Sequence, residues 1–307
     1  MSTQHARVIV NPVAGGHSTY REWPRISQCL IDKGLSFDSV CTEGIGHAIE
    51  LAKAAANTDY RYIIAVGGDG TINEVANGIL RSTGSHNTIL GIVSAGSTCS
   101  FARSIGIPLD PVVSCSLLTS QNRLSIDVGI VEYESENQHL HRFFVNEAGV
   151  GFNAAVVYAW KHLPNRLGSN ITHTLRTIEG LKSLFTYRNK KIKLHVGNNV
   201  ETIYGCAVVV ANGQYFADGM QIAPHAILDD GLLNIVTIGD VGKFELLKIW
   251  PTLYSGSHII HHKIREEKAA TVTIESDEQL LVEADGELLG EGPVSFSVLP
   301  SALSIVI

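Results

Sequence analysis

The run Gly67-Gly68-Asp69-Gly70-Thr71, followed at once by Asn73-Glu74, has residue types and spacing that could do chemistry. Glycines allow a tight turn and let backbone N–H groups approach a ligand closely. A helix opening at such a turn adds partial positive charge and unsatisfied donors, which suits phosphate. Asp69 lies in the middle of that turn. A carboxylate there repels phosphate unless a cation lies between them or the carboxylate accepts a proton, which points to Mg²⁺ or to catalysis. The same residues admit a structural reading: Asp-Gly is a common turn pair, and Thr71 with Glu74 forms a capping box. The run is not a Walker A loop, because no Gly-Lys-Ser/Thr follows it.

The elements that must position this turn are legible on either side. Residues 61–66 are a short apolar run that predicts a buried strand. In 71–80, Ile72, Val75, Ala76 and Ile79 recur at helical spacing. Upstream, 8–10 reads as a strand and 11–16 as a polar, glycine-ended turn. Tyr20, Trp23, Ile26 and Leu30 then mark a helix with Gly34 as its stop. Residues 35–41 read as a strand and 47–56 as a helix. Downstream come a strand at 89–93, a small-residue loop at 94–98, and helices at 101–105 and 112–119. This alternation predicts a doubly wound, mostly parallel sheet with helices on both faces. Ligands bind such sheets beyond the C-terminal ends of the strands. The loops 11–16, 67–71 and 94–98 all fall on that edge, where a phosphate-rich ligand fits.

After about Asp127 the pattern changes. Short β-branched runs at 126–132, 142–146, 191–196, 205–212, 232–238, 270–274, 280–284 and 294–299 predict an antiparallel sandwich. The polar excursion 133–139 reads as a hairpin loop. Helical stretches at 151–185, broken near Pro164, and at 243–254 interrupt the strands. The expected domains are 1–127 and 128–307, with the last strand, 302–307, free to return to the first.

Composition narrows the classes. The chain has 307 residues, a net charge of −7 and 45% hydrophobic residues. That balance is globular, and the acidic charge argues against nucleic acid as a partner. Five scattered cysteines without a C-x-x-C spacing suit a reducing cytoplasm better than a disulfide framework or a zinc site. No run reaches the length needed to span a bilayer, and the first residues lack an apolar signal core. The expectation is a cytoplasmic protein that can attach peripherally to the inner membrane face. Trp160-Lys161-His162-Leu163 and the basic run 182–193 are candidates for such a surface.

The chain resembles the diacylglycerol kinase catalytic-domain superfamily, closest to the small bacterial lipid kinases related to sphingosine and ceramide kinases. The resemblance rests on Asn11-Pro12 with Ala14-Gly15, on the 67–71 turn with Asn73-Glu74, on Phe101-Ala102-Arg103, Asp127 and 146–152. In the second half it rests on Asn212-Gly213, Gly219-Met220, Ala223-Pro224, Asp229-Asp230-Gly231-Leu232 and Asp285-Gly286-Glu287. It implies an NAD-kinase-like nucleotide domain, then a β-rich lipid domain, with transfer of the γ-phosphoryl of ATP to a lipid hydroxyl and Mg²⁺ as the metal. On that pattern Asn11, Gly67, Gly68, Gly70, Thr71, Glu74, Gly96, Ser97 and Thr98 serve the nucleotide. Asp230, with backbone around Leu232, would hold a structural Mg²⁺, and Asp127 would join it through water.

A lipid hydroxyl is a poor nucleophile at neutral pH, so a carboxylate that accepts its proton assists transfer. The resemblance offers Asp285, with Glu287 beside it, and some relatives assign the role to the turn carboxylate, here Asp69; the sequence leaves both open. The alternative for Asp285-Gly286 is a hairpin turn. The chain departs from the common pattern at Ser100, where relatives carry an acidic residue. The implied partners are ATP and a lipid alcohol presented at a membrane surface; a homodimer is left open. The rival functions are an NAD kinase and a nucleotide- or lipid-binding protein without catalysis.

Overall fold

The computed structural model describes residues 5–58, 60–84, 88–96, 99–135, 138–163, 169–197 and 199–307. Two compact units emerge. The first takes in the chain up to Val128 together with Ala217–Gly219 and Pro300–Ile307; the second takes in Gly129–Phe216 and Met220–Leu299.

The first unit runs β1 (His5–Val10), α1 (Ala14–Asp32), β2 (Ser36–Cys41), α2 (His47–Ala56), β3 (Tyr62–Gly67), α3 (Asp69–Leu80), β4 (Ile89–Ser94), α4 (Ser100–Ser104) and α5 (Pro111–Leu117). The strands β2, β1, β3 and β4 pair in that order, all parallel, with Ile9 opposite Ala65 and Val66 opposite Val93. Strands β3 and β4 are buried along their whole length, as apolar runs in a parallel sheet must be. Helix α1 packs with α5, and α2 with α3. The core gathers Val8, Ile26, Leu30, Ile64, Val93 and Cys115. Each of the Val, Leu and Ile side chains contributes about 1.5–3 kcal/mol when withdrawn from water. The regular part of α1 begins late, because Gly15, Gly16 and His17 all have positive φ.

Strand β5 (Arg123–Ser135) carries the chain into the second unit. That unit continues with β6 (Gln138–Phe144), β7 (Glu147–Gly151), α6 (Phe152–Lys161), α7 (Ser169–Thr186), β8 (Lys190–Val196), β9 (Asn199–Gly205), β10 (Ala207–Ala211), β11 (Tyr215–Phe216), β12 (Met220–Gln221), β13 (Leu233–Ile238), α8 (Lys243–Ile249), β14 (Ile264–Ala269), β15 (Thr271–Glu275), β16 (Leu281–Ala284) and β17 (Glu287–Val306). Within it β14, β13, β10, β7 and β16 pair antiparallel in that order, and β16 pairs with β17. Strand β15 joins β17 to β8, and β8 pairs with β9. Val150, Val208, Ile235, Val282, Phe144 and Phe296 fill the core, the two rings meeting edge to face at 6.3 Å. The final residues of β17 belong to the first unit, where Ser304 and Ile305 pair parallel with Ile89 and Leu90 of β4.

The excursion at 133–139 is a correction. Its described residues extend β5 and β6 as one antiparallel hairpin, with Tyr133 opposite Leu140. Helix 243–254 divides into α8 and a 3₁₀ segment, Trp250–Ser255, at Pro251. The break expected at Pro164 lies outside the described residues.

Candidate active site

In the first unit, the parallel register brings the loops after β1, β3 and β4 to one edge. Ala95 N donates to Gly67 O at 2.9 Å, and Asn11 N donates to Val66 O at 3.0 Å. The Asn11 amide donates to Thr71 Oγ1 at 2.9 Å, while its Oδ1 accepts from Val13 N. Thr71 is buried and stitches two loops together. Gly67 leaves room for it: a Cβ there would sit 2.4 Å from Thr71 Oγ1. Gly68 and Gly96 touch backbone to backbone, since a Cβ on Gly96 would lie 2.3 Å from the Cα of Gly68. By contrast, a Cβ at Gly70, in the first turn of α3, would meet nothing within 4 Å. Ser97 and Thr98 lie outside the described residues.

Asp69 does not lie idle in the turn. Its Oδ2 accepts from Ser100 N at 2.8 Å and its Oδ1 from Phe101 N at 2.9 Å. Helix α4 has only five residues, and Cys99 at its N-cap position makes no side-chain cap, so Asp69 caps it from outside. Ser100 is buried at this junction. The Cys99 thiol, pushed up to about 11 chiefly by burial, stays neutral and leans on Gly67 O.

Glu74 serves another element. Its two carboxylate oxygens accept from Gly46 N at 2.9 Å and Ala48 N at 3.1 Å, at the start of α2. The Thr71–Glu74 capping box does not form, because α3 begins two residues earlier with Gly68 as its N-cap. Asp127 is buried, and its Oδ1 accepts from Ser301 N at 2.8 Å.

In the second unit, Asp285 occupies the turn between β16 and β17 with φ +46°. Its Oδ2 accepts from Val145 N at 2.8 Å, and its Oδ1 from Asn146 N at 3.1 Å and Glu147 N at 3.0 Å. Three consecutive backbone donors thus fix one carboxylate. Glu287 pairs with Arg142 at 2.7 Å. Two further carboxyls, absent from the sequence-based set, lie under this turn. Glu147 and Glu283 are both buried; burial first, then their mutual repulsion, drives Glu147 well above the usual carboxyl range. Burial pushes Glu283 up to about 7. The signal in the sequence was faint: an acidic residue inside the apolar run 280–284.

Asp230, the carboxylate that the resemblance assigns to a structural Mg²⁺, is engaged by groups of this chain. Asp230 Oδ1 accepts from Leu232 N at 3.1 Å, and its Oδ2 is held by Lys268 Nζ at 2.6 Å. The ammonium already neutralises the carboxylate that would bind the ion. Among the described residues no group of three or more His, Cys, Asp or Glu side chains could hold a metal.

Residues 5–131 match the family described as diacylglycerol kinase catalytic domain. Residues 148–307 match the YegS C-terminal NAD kinase beta sandwich-like domain. The chain therefore belongs to the diacylglycerol kinase superfamily of ATP-using lipid kinases whose catalytic domain is followed by that sandwich. It is similar to the diacylglycerol kinase of Staphylococcus haemolyticus strain JCSC1435, 29% identical over 95% of this chain and 84% of that protein. It is also similar to the diacylglycerol kinase of Staphylococcus aureus strain MRSA252, 28% identical over 95% of this chain and 89% of that one. A solved diacylglycerol kinase from Bacillus anthracis str. Sterne shares the fold, with a TM-score of 0.73 and 21% identity over 100% of this chain and 97% of that one.

Proposed function

We propose that this lipid kinase transfers the γ-phosphoryl of ATP, taken up as its Mg²⁺ complex, to the hydroxyl of diacylglycerol. The observation that carries the reading is the cradle of Asp285. A non-glycine residue held at φ +46° is strained, and such strain persists where the surroundings enforce it. Here three backbone N–H groups enforce it and aim the carboxylate. In the proposed mechanism Asp285 accepts the proton of the lipid hydroxyl as that oxygen attacks the γ-phosphorus. Glu287, neutralised by Arg142, holds the turn from its other end. The N-terminal end of α3 and the glycine backbones around Gly68 and Gly96 receive the phosphates, and Asn11 and Thr71 keep those loops in register. Phosphoryl transfer asks mainly for positioning and charge stabilisation, which fixed loops provide. Asp69 holds the start of α4 through Ser100 N and Phe101 N.

The lipid is met at a membrane surface. No helix among the described residues is long and apolar enough to cross a membrane. On α7, Ile178, Leu181 and Phe185 fall at helical spacing, with exposures of 43–51%. Phe244 and Leu247 of α8 are exposed as well. Lys243 of α8 contacts Phe185 O, which joins the two helices, and Arg188 and Lys243 line a pocket of about 280 Å³ at this place. Apolar side chains edged by cations suit an anionic bilayer on the cytoplasmic side.

The test is transfer from γ-labelled ATP in mixed micelles of diacylglycerol, with monoacylglycerol, ceramide, sphingosine and NAD as competing acceptors. Labelled phosphatidic acid that disappears in Asp285→Asn supports the reading. Binding of ATP without any labelled lipid overturns it in favour of a binding protein.

A further inference from the structure

Glu147 of β7 and Glu283 of β16 lie on paired strands, with Glu283 opposite Gly149 and Ala284 opposite Ala148. Glu147 and Glu283 therefore occupy the same face at diagonal positions. Both are buried, at 7% and 1% exposure, and Glu147 Oε2 is a buried carboxyl oxygen that accepts from no donor among the described residues. Buried on one face at neighbouring positions, two carboxyls can hydrogen-bond each other only if one of them carries a proton. Among the described residues, the hydrogen-bond donors to Glu283 are neutral. Asn153 of α6 donates to Glu283 Oε1 at 2.8 Å, and Gly286 N donates to Glu283 Oε2 at 3.1 Å. Gly149 lacks a side chain where a Cβ would lie 2.8 Å from that Asn153 amide. The charged group facing both carboxyls is a third anion, Asp285; Arg142, on β6, is paired with Glu287 of β17.

The pair grips the turn from two sides. Glu283 holds Gly286 by its side chain, and Glu147 holds Asp285 by its main chain, its N donating to Asp285 Oδ1 at 3.0 Å and its O accepting from Asp285 N at 2.8 Å. We propose that Glu147 and Glu283 form an acid pair that shares one proton and positions the Asp285–Gly286 turn, so that loss of the proton releases the turn. They are positioning residues, not catalytic ones. The catalytic consequence rests on the reading of Asp285 as the base; the structural consequence does not.

The direction with pH follows from burial. Carboxyls raised above their unfolded values contribute stability that is present at low pH and lost as pH rises through the folded value. For Glu283 that value is about 7. Deprotonation then sets adjacent buried anions against each other and against Asp285.

The test is the thermal midpoint of the full chain between about pH 6 and about pH 9, beside Glu283→Gln and Glu147→Gln. The wild type is expected to lose about 3–5 °C across that range, and either amide variant to flatten the profile. In the lipid phosphorylation assay the alkaline limb of kcat is expected to move up by about one pH unit in Glu283→Gln, with KM for ATP unchanged. An infrared carbonyl band from a protonated carboxyl is expected in the wild type at neutral pH, which keeps the proposal testable if a variant fails to fold. Absence of that band, or superimposable midpoint profiles in wild type and both variants, would overturn it. A flattened profile in a chain that phosphorylates no lipid upholds the acid pair and removes only the kinase reading.

Discussion

Replacing Asp285 by Asn separates the structural and chemical roles of its carboxylate. Asn adopts left-handed backbone as readily as Asp, so the strain at φ +46° stays as it is. With its oxygen turned to Asn146 N and Glu147 N, the amide NH₂ faces Val145 N, and one buried donor loses its acceptor. That costs about 1–3 kcal/mol. Removal of an anion beside Glu147 and Glu283 offsets a part of it, because Asp285 is one of the charges that push both carboxyls up. A net loss of about 1–2 kcal/mol corresponds to a midpoint about 3–6 °C lower.

The chemical loss is larger. General-base assistance contributes about 10²–10⁴ in rate, or about 2.7–5.4 kcal/mol of barrier. Asp285→Asn is therefore expected to lower kcat for lipid phosphorylation by at least about a hundredfold while KM for ATP stays within about twofold. Asp69→Asn supplies the contrast. It leaves one of the two N–H groups at the start of α4 without an acceptor, a capping loss of about 1 kcal/mol. Its expected signature is a raised KM for ATP with kcat within about tenfold of wild type. Steady-state kinetics in mixed micelles, with thermal unfolding alongside, checks both. The reverse pattern, with kcat abolished by Asp69→Asn and nearly kept by Asp285→Asn, would refute the assignment and make Asp69 the base.

Gly96→Ala must push the Gly68 backbone away, since the new Cβ would start 2.3 Å from the Gly68 Cα; ATP binding measured by calorimetry is expected to weaken at least about tenfold. Glu74→Gln removes one acceptor from the start of α2 and is expected to lower the midpoint by about 2–4 °C with ATP affinity unchanged, which nucleotide titration would show. Lys268→Met leaves Asp230 without its ammonium. The variant is expected to lose about 0.5–1 kcal/mol and to regain it when Mg²⁺ is added, whereas a chelator leaves the wild-type midpoint in place.

The nucleotide half was readable because its signals are local. Apolar runs at 61–66 and 89–93 and helical spacing in 71–80 give β3, β4 and α3, and parallel pairing then sends the loops after them to one edge. The second half was read less well wherever a strand faces water. Strand β9 has four exposed residues in seven and β14 is largely charged, so neither shows the apolar alternation that marks a half-buried strand. The polar arm of the β5–β6 hairpin failed for the same reason. The runs 294–299 and 302–307, expected as separate strands, belong to one strand, β17, with Pro293 and Pro300 inside it. Glu74 was misread by distance: its partners, Gly46 and Ala48, are brought near by α2 packing on α3, which no three-residue spacing reports.

The motif carboxylates share a property that their spacing conceals. Asp69 binds the N–H groups of Ser100 and Phe101, Asp127 that of Ser301, Asp230 that of Leu232, and Asp285 those of Val145, Asn146 and Glu147. Each has a backbone to hold. A motif that looks like a set of acids for catalysis and metal is therefore also a set of pins for loops, and loss of activity on mutation does not by itself identify a base. What separates the roles is the direction of the kinetic change. A pin that slips lets the substrate bind in more than one pose, which appears in KM and in stability together. A base that is lost leaves binding intact and removes a proton acceptor from the transition state, which appears in kcat. On that criterion Asp127→Asn should behave as a pin: the carbonyl oxygen of the amide can still accept from Ser301 N, so activity is expected to stay within about threefold, and a loss beyond about a hundredfold in kcat alone would show that its charge takes part in the reaction.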